Sequence, residues 1–108
     1  MTSRDYLLRQ TVHQWRFHEC RQLAHNLVRE ICARDGISAK DLLSDSRSAQ
    51  FVRPRQELYA RLSETGRYGR VIVGRVLQRD PQTILHGIRR HHDRQKLSPG
   101  FVSVIDLR

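Results

Sequence analysis

The 108-residue sequence has only two cysteines, Cys20 and Cys32, too few for a disulfide framework and in keeping with a reducing compartment. No apolar run approaches the roughly 20 residues that a membrane-spanning helix needs, which argues against a membrane partner. The opening residues, MTSRDYLLRQ, lack the apolar stretch and small-residue cleavage site of a signal peptide, so a cytoplasmic location is expected. Acidic residues number 11 and are scattered rather than paired for general acid–base work. No serine or cysteine stands in a nucleophile motif, and no enzyme is expected. His18, Cys20, His25 and Cys32 lack the paired spacing of zinc ligands, and both cysteines fall on an apolar stripe where a free thiol acts as a small hydrophobe. Neither a metal nor another cofactor is expected. Strands are scarce too, FVSVIDL at 101–107 being the one weak candidate.

Arginine, by contrast, is abundant. The formal net charge is +9, and 18 of the 20 basic residues are arginine rather than lysine. The excess is uneven: residues 1–52 carry 8 basic and 6 acidic side chains, residues 53–96 carry 11 and 4, and the last twelve are neutral. A localised positive excess favours a polyanionic partner, because each neutralised phosphate releases condensed counterions. Genome bias can account for arginine over lysine, but not for the crowding of charge into the second half.

Hydrophobic spacing predicts an all-α protein, a compact domain of five helices. Leu8, Val12 and Trp15, then Cys20, Leu23, Leu27 and Ile31, recur at three and four residues along a long first helix. Ser3 is its candidate cap, an interruption is allowed around Phe17, and Gly36 followed by Ile37 suits its C-terminal cap. SAKDLL restarts a short helix with Ser38 as cap and Asp41 at the third position of a capping box. SDSRSAQ, residues 44–50, reads as a loop, with Pro54 in the first turn of a third helix that runs to Gly66. GRVIVGRVLQ is a short fourth helix whose Gly74 implies close approach of a neighbouring helix. RDPQTILHGIRRHH opens the fifth: Asp80 is the cap, Pro81 the first helical residue, and Ile84, Leu85 and Ile88 the apolar stripe. His91 and His92 suit the basic end of that helix. The chain divides into a long N-terminal helical segment (1–36), a basic helical region (37–96) and a tail (97–108).

The last two helices form a short helix, a tight turn and a second helix with polar residues at its start, a helix-turn-helix pattern. From about Ile37 to His92 the sequence resembles the C-terminal DNA-binding domain of the bacterial replication initiator family DnaA. KDLLSDSRS matches that family's aspartate–dileucine–serine segment and arginine-bearing loop, VRPRQ at 52–56 its Arg-Pro-Arg-Gln signature, and VGRVLQRDPQTILHG its second signature. The resemblance implies that Arg47 enters the minor groove, where a guanidinium gains from the negative potential of a narrow A·T-rich tract. It implies that Asp80, Pro81, Gln82 and Thr83 face the major groove. Ser48, Arg53, Arg55, Gln56, Arg70, Arg79, His86 and Arg90 are the candidate DNA-backbone contacts; Arg79 serves either a phosphate or an acidic neighbour.

Three departures set the chain apart. Proline at 81 lacks the donor of the family's usual histidine, and Gln82 replaces a threonine with an amide able to pair bidentately with adenine. Gly69–Gly74 replaces a serine-bearing segment and gains Arg70. No G-x-x-x-x-G-K-[ST] loop is present in the sequence, so the family's ATPase chemistry is not expected of it. The expected function is double-stranded DNA binding, first as a transcriptional regulator at the nucleoid. The alternatives are a replication accessory or antagonist occupying initiator sites, and a non-specific DNA-coating protein. By association, the resemblance extends to stand-alone domains of this kind in prophage-like elements and gene transfer agents. RNA polymerase or another regulatory protein is a further candidate partner. The first half of the long helix either adds to the core or supplies a homodimer surface.

Overall fold

The computed structural model describes the backbone of residues 3–96 and the side chains of 14–65 and 67–96. Five helices make up the described chain: α1 (Ser3–Asp35), α2 (Ala39–Leu42), α3 (Ala49–Gly66), α4 (Arg70–Leu77) and α5 (Pro81–Lys96). The expected all-α architecture holds for these residues. The strand candidate at 101–107 lies outside them.

α1 is one uninterrupted helix of 33 residues, so the break allowed near Phe17 does not occur. At 1.5 Å per residue it is about 50 Å long. Cys20, Ala24, Leu27, Val28 and Ile31 line its buried stripe. Further toward the N-terminus, Trp15 stands 69% exposed. Arg16 ties this part down: it donates to the Arg67 carbonyl at 3.1 Å and lies 5.0 Å above the ring of the buried Tyr68. A guanidinium over an aromatic face is an attractive pairing. At the other end Gly36 takes a left-handed φ of 67° and its N–H donates to the Cys32 carbonyl, as its cap position requires.

Ser38 caps α2 by accepting from the Asp41 N–H at 3.1 Å. The loop that follows is shorter than its composition suggests. α3 already begins at Ala49, with Ser48 as an N-cap whose hydroxyl makes no capping bond. Pro54 therefore sits inside α3 rather than in its first turn. Having no N–H, it cannot donate to the Gln50 carbonyl, but buried between neighbouring helices it is held in place.

The core joins Leu42 of α2, Leu58, Tyr59 and Leu62 of α3, Val73 of α4 and Ile84 of α5 to the α1 stripe. Arg34 forks onto Glu57 at 2.8 and 2.9 Å, and Arg61 pairs with Glu30, fastening α1 to α3. α5 packs on α3 and α4 and makes no contact with α1 among the described residues. Ile84 and Gly87 turn inward, while Gln82, Thr83, His86, Arg89, Arg90 and Asp93 make an exposed polar face.

Candidate nucleic-acid interface

Three backbone devices set the start of α5. Gln78 takes a left-handed conformation (φ 56°) to end α4, although it is not glycine. The Arg79 N–H then returns to the Gly74 carbonyl at 2.8 Å. A Cβ on Gly74 would stand 2.5 Å from the Arg79 carbonyl oxygen, so the close neighbour that this glycine implies is the turn itself. Asp80 then accepts the Gln82 N–H on its carboxylate at 2.8 Å and the Ile84 N–H on its carbonyl at 3.1 Å. This is a side-chain N-cap with Pro81 at the first helical position. The first turn thus presents Gln82 and Thr83 outward, both exposed, with Pro81 half-buried beside them.

The second component is the loop 43–48. Its hydroxyls turn it locally: Ser44 Oγ donates to the Asp41 carbonyl at 2.7 Å and accepts the Ser46 N–H, and Ser46 Oγ accepts the Ser48 N–H. Arg47 and Ser48 are exposed at its end. Loop and helix start share one cleft of about 170 Å³, to which Asp45 contributes from the loop, Gln56 and Tyr59 from α3, and Thr83 and His86 from α5. The Gln56 side-chain oxygen is enclosed there without a hydrogen-bond partner. Tyr59 is buried, and burial pushes its phenol above the ordinary value.

Two arginines expected at the DNA backbone point elsewhere. Arg55 donates Nε to the Leu42 carbonyl at 2.7 Å and Nη1 to the Ser46 carbonyl at 3.0 Å. Burial, followed by the charge of Arg79, weakens its hold on a proton. Arg79 meets the Asp45 carboxylate at 2.5 Å, the Ser44 carbonyl at 3.1 Å and the Leu43 carbonyl. The acidic neighbour that the sequence offered as one of its two uses is Asp45.

Arg47, Arg53, Arg70 and Arg90 are exposed, and no ion pair neutralises them among the described residues. Ser48, Arg53 and Gln56 come from one end of α3, His86 and Arg90 from the outer part of α5, and Arg70 from the first residue of α4. Sequence reading passed over Arg94. It is half-buried, burial together with Arg53 and Arg90 lowers its proton affinity, and its Nη2 has no partner. Its spacing of four from Arg90 on one helix is the signal that could have found it. No group of three or more potential metal ligands occurs among the described residues, nor does any described helix reach the length and apolarity of a membrane span.

The described chain is an all-helical domain in which a short helix, a tight turn and an outer helix present a basic face. Over 66 residues, 61% of the chain, it is 32% identical to the chromosomal replication initiator protein DnaA of Leptospira biflexa serovar Patoc, in each of two strains. The stretch matched is 15% of the length of those relatives. This agrees in part with the resemblance to that family's DNA-binding domain. No family model matches the chain, and no solved structure does.

Proposed function

We propose that the chain binds double-stranded DNA, with the first turn of α5 in the major groove and Arg47 in the adjoining minor groove, and that it acts as a transcriptional regulator. The observation that carries this reading is the shared cleft, which sets the loop bearing Arg47 beside an outward-facing Gln82–Thr83 pair on a well-capped helix. Gln82 brings an amide that matches the adenine edge, and Thr83 a methyl for thymine and a hydroxyl. Arg53, Arg70 and Arg90 supply free charge for phosphates, and Ser48 a hydroxyl that its own helix does not use. With the Gln56 oxygen enclosed, its amide nitrogen is the end that serves a phosphate. No step of this function calls for catalysis. The exposure of Trp15 supports a reading of α1 as a surface for a second copy or for a partner such as RNA polymerase.

A second reading has its own support. The similarity to a replication initiator favours a protein that occupies initiator sites as an accessory or antagonist. Pro81 weighs against it, because a pyrrolidine ring offers no donor to a base. Footprinting on genomic fragments separates the two: promoter sites support the regulator, origin sites the accessory, and uniform protection neither. The target is expected to differ from the initiator's own box, and a preference for that box of about a hundredfold over unrelated duplex contradicts this, since each mismatched pair costs about 1–3 kcal/mol.

A further inference from the structure

Arg55 and Arg79 bring two charges to the middle of the proposed face, yet neither guanidinium is presented outward. One comes from α3 and the other from the α4–α5 turn, and both are aimed at the stretch from Asp41 to Ser46. Arg55 takes the Leu42 and Ser46 carbonyls and reaches the Asp41 carbonyl at 3.4 Å. Arg79 takes the carbonyls of Leu43 and Ser44 and the carboxylate of Asp45. The carbonyls of Leu42, Leu43, Ser44 and Ser46, at the end of α2 and in the loop after it, thus accept from two planar forks. Only arginine offers several donors in fixed directions; a lysine ammonium cannot reproduce the pattern.

We infer that Arg55 and Arg79, with Asp45, form a clamp that holds the Arg47 loop in fixed register with the first turn of α5, and that they are positioning residues rather than phosphate ligands. The inference rests on the DNA-binding reading above. Arg79 immediately precedes Asp80, the cap of α5, so one residue is fastened both to the helix start and to the loop. The two reading elements therefore move as one piece, and the offset between a minor-groove A·T tract and the major-groove bases becomes part of what is recognised. Asp45 fits this role and no direct role toward phosphate. It is 93% exposed on a basic face, where its charge repels a phosphate, but it keeps Arg79 on the loop.

The test is titration of two labelled duplexes of equal length, one with an A·T tract and one of mixed sequence, across a series of salt concentrations. The proteins are wild type, Arg79→Gln, Arg79→Lys and Asp45→Asn, and amide hydrogen exchange of residues 44–48 is followed in each without DNA. Arg79→Gln is expected to bring the affinity ratio of the two duplexes toward one while leaving the salt slope on the mixed duplex unchanged. Loss of a phosphate ligand would instead flatten that slope by about 0.9. Arg79→Lys keeps the charge and is expected to lose the preference as Gln does. Asp45→Asn, a change at an exposed site, is expected to steepen the slope by up to about 0.9 as Arg79 turns to a phosphate, and to lower the A·T preference. Exchange at 44–48 is expected to quicken in all three variants. The clamp is overturned by a flatter slope with preference retained in Arg79→Gln, by wild-type binding in Arg79→Lys, or by an unchanged Asp45→Asn. If wild type binds neither duplex, the DNA reading itself fails; exchange then decides the clamp alone, and unchanged rates in Arg79→Gln overturn it.

Discussion

Asp80 shows how much one side chain can settle. Its carboxylate satisfies the Gln82 N–H at 2.8 Å, one of the donors a helix start leaves open. Asp80→Ala is expected to lower stability by about 1 kcal/mol, the usual cost of a lost N-cap, seen as a lower midpoint in thermal unfolding. Because the cap also aims the first turn, DNA affinity should fall by more than the change in folding accounts for. Cys20 makes a contrasting case. It is wholly buried, and burial pushes its thiol up to about 11, so little reactive thiolate exists. Alkylation of the native protein is expected at the half-buried Cys32 and not at Cys20, until denaturant opens the core; mass spectrometry of the labelled peptides reads this directly. Asp80, Pro81 and both cysteines were legible in the sequence, because capping and apolar spacing are local patterns. The inward turn of Arg55 and Arg79 was not. A sequence shows that an arginine carries charge but not which way the charge points, and their partners lie 9 to 36 residues away.

Among the helices, what escaped sequence reading is the result of packing. α1 runs through Phe17 without a break, and beside it Arg16 meets the Arg67 carbonyl and the Tyr68 ring, contacts across 51 and 52 residues that no local pattern announces. α3 starts before Pro54 because a buried proline can be tolerated inside a helix whose neighbours pack around it. α3 and α4 end on left-handed Arg67 and Gln78, where a glycine would be the ordinary signal. Gly74 marks a point of close approach as the sequence implies, but what approaches is the backbone of the following turn and not the neighbouring helix expected there. Gly74→Ala gains about 1 kcal/mol of helix propensity but forces that turn to shift, and overpacking of this kind costs about 1–3 kcal/mol. The expected net result is a lower unfolding midpoint and weaker DNA binding. Gly87→Ala meets the buried Tyr59 ring at 2.6 Å and is expected to loosen α5 from α3.

The contact between α1 and α3 also gives the molecule a pH dependence with a definite sign. Hydrogen bonds from Arg34 hold the carboxyls of Glu57 and Asp35 below their ordinary values, against the effect of burial. Groups with lowered folded values stabilise the protein above their unfolded values and lose that contribution as pH falls. His91 acts in the same direction: burial holds it below its ordinary 6.5, so protonation favours the unfolded chain. The thermal midpoint is therefore expected to decline as pH drops below about 6.5, and more steeply below the ordinary carboxylate values. Replacing His91 by Asn should remove the first, shallower part of the decline. A midpoint that rises on acidification contradicts these assignments.

Viewed whole, the molecule places its charges unevenly. Carboxylates of Glu30, Asp35 and Glu57 neutralise arginines of α1 and α3, whereas Arg47, Arg53, Arg70 and Arg90 are exposed and enter no ion pair among the described residues. Arg53, Arg70 and Arg90 belong to the basic stretch 53–96, where the sequence carries most of its positive excess. Binding to any duplex is expected to weaken steeply with salt, with a log–log slope of about −0.9 for each phosphate engaged. The central claim is that Arg47 and the first turn of α5 read one duplex together. Selection of binding sites from a random-sequence duplex library tests it most directly, comparing wild type with Arg47→Glu and Gln82→Ala. The account predicts a motif in which an A·T-rich stretch adjoins a short element containing adenine. Arg47→Glu should erase the first part, and Gln82→Ala should relax the second with little loss of overall affinity. A motif unchanged by both substitutions, or no enrichment by wild type, would contradict it.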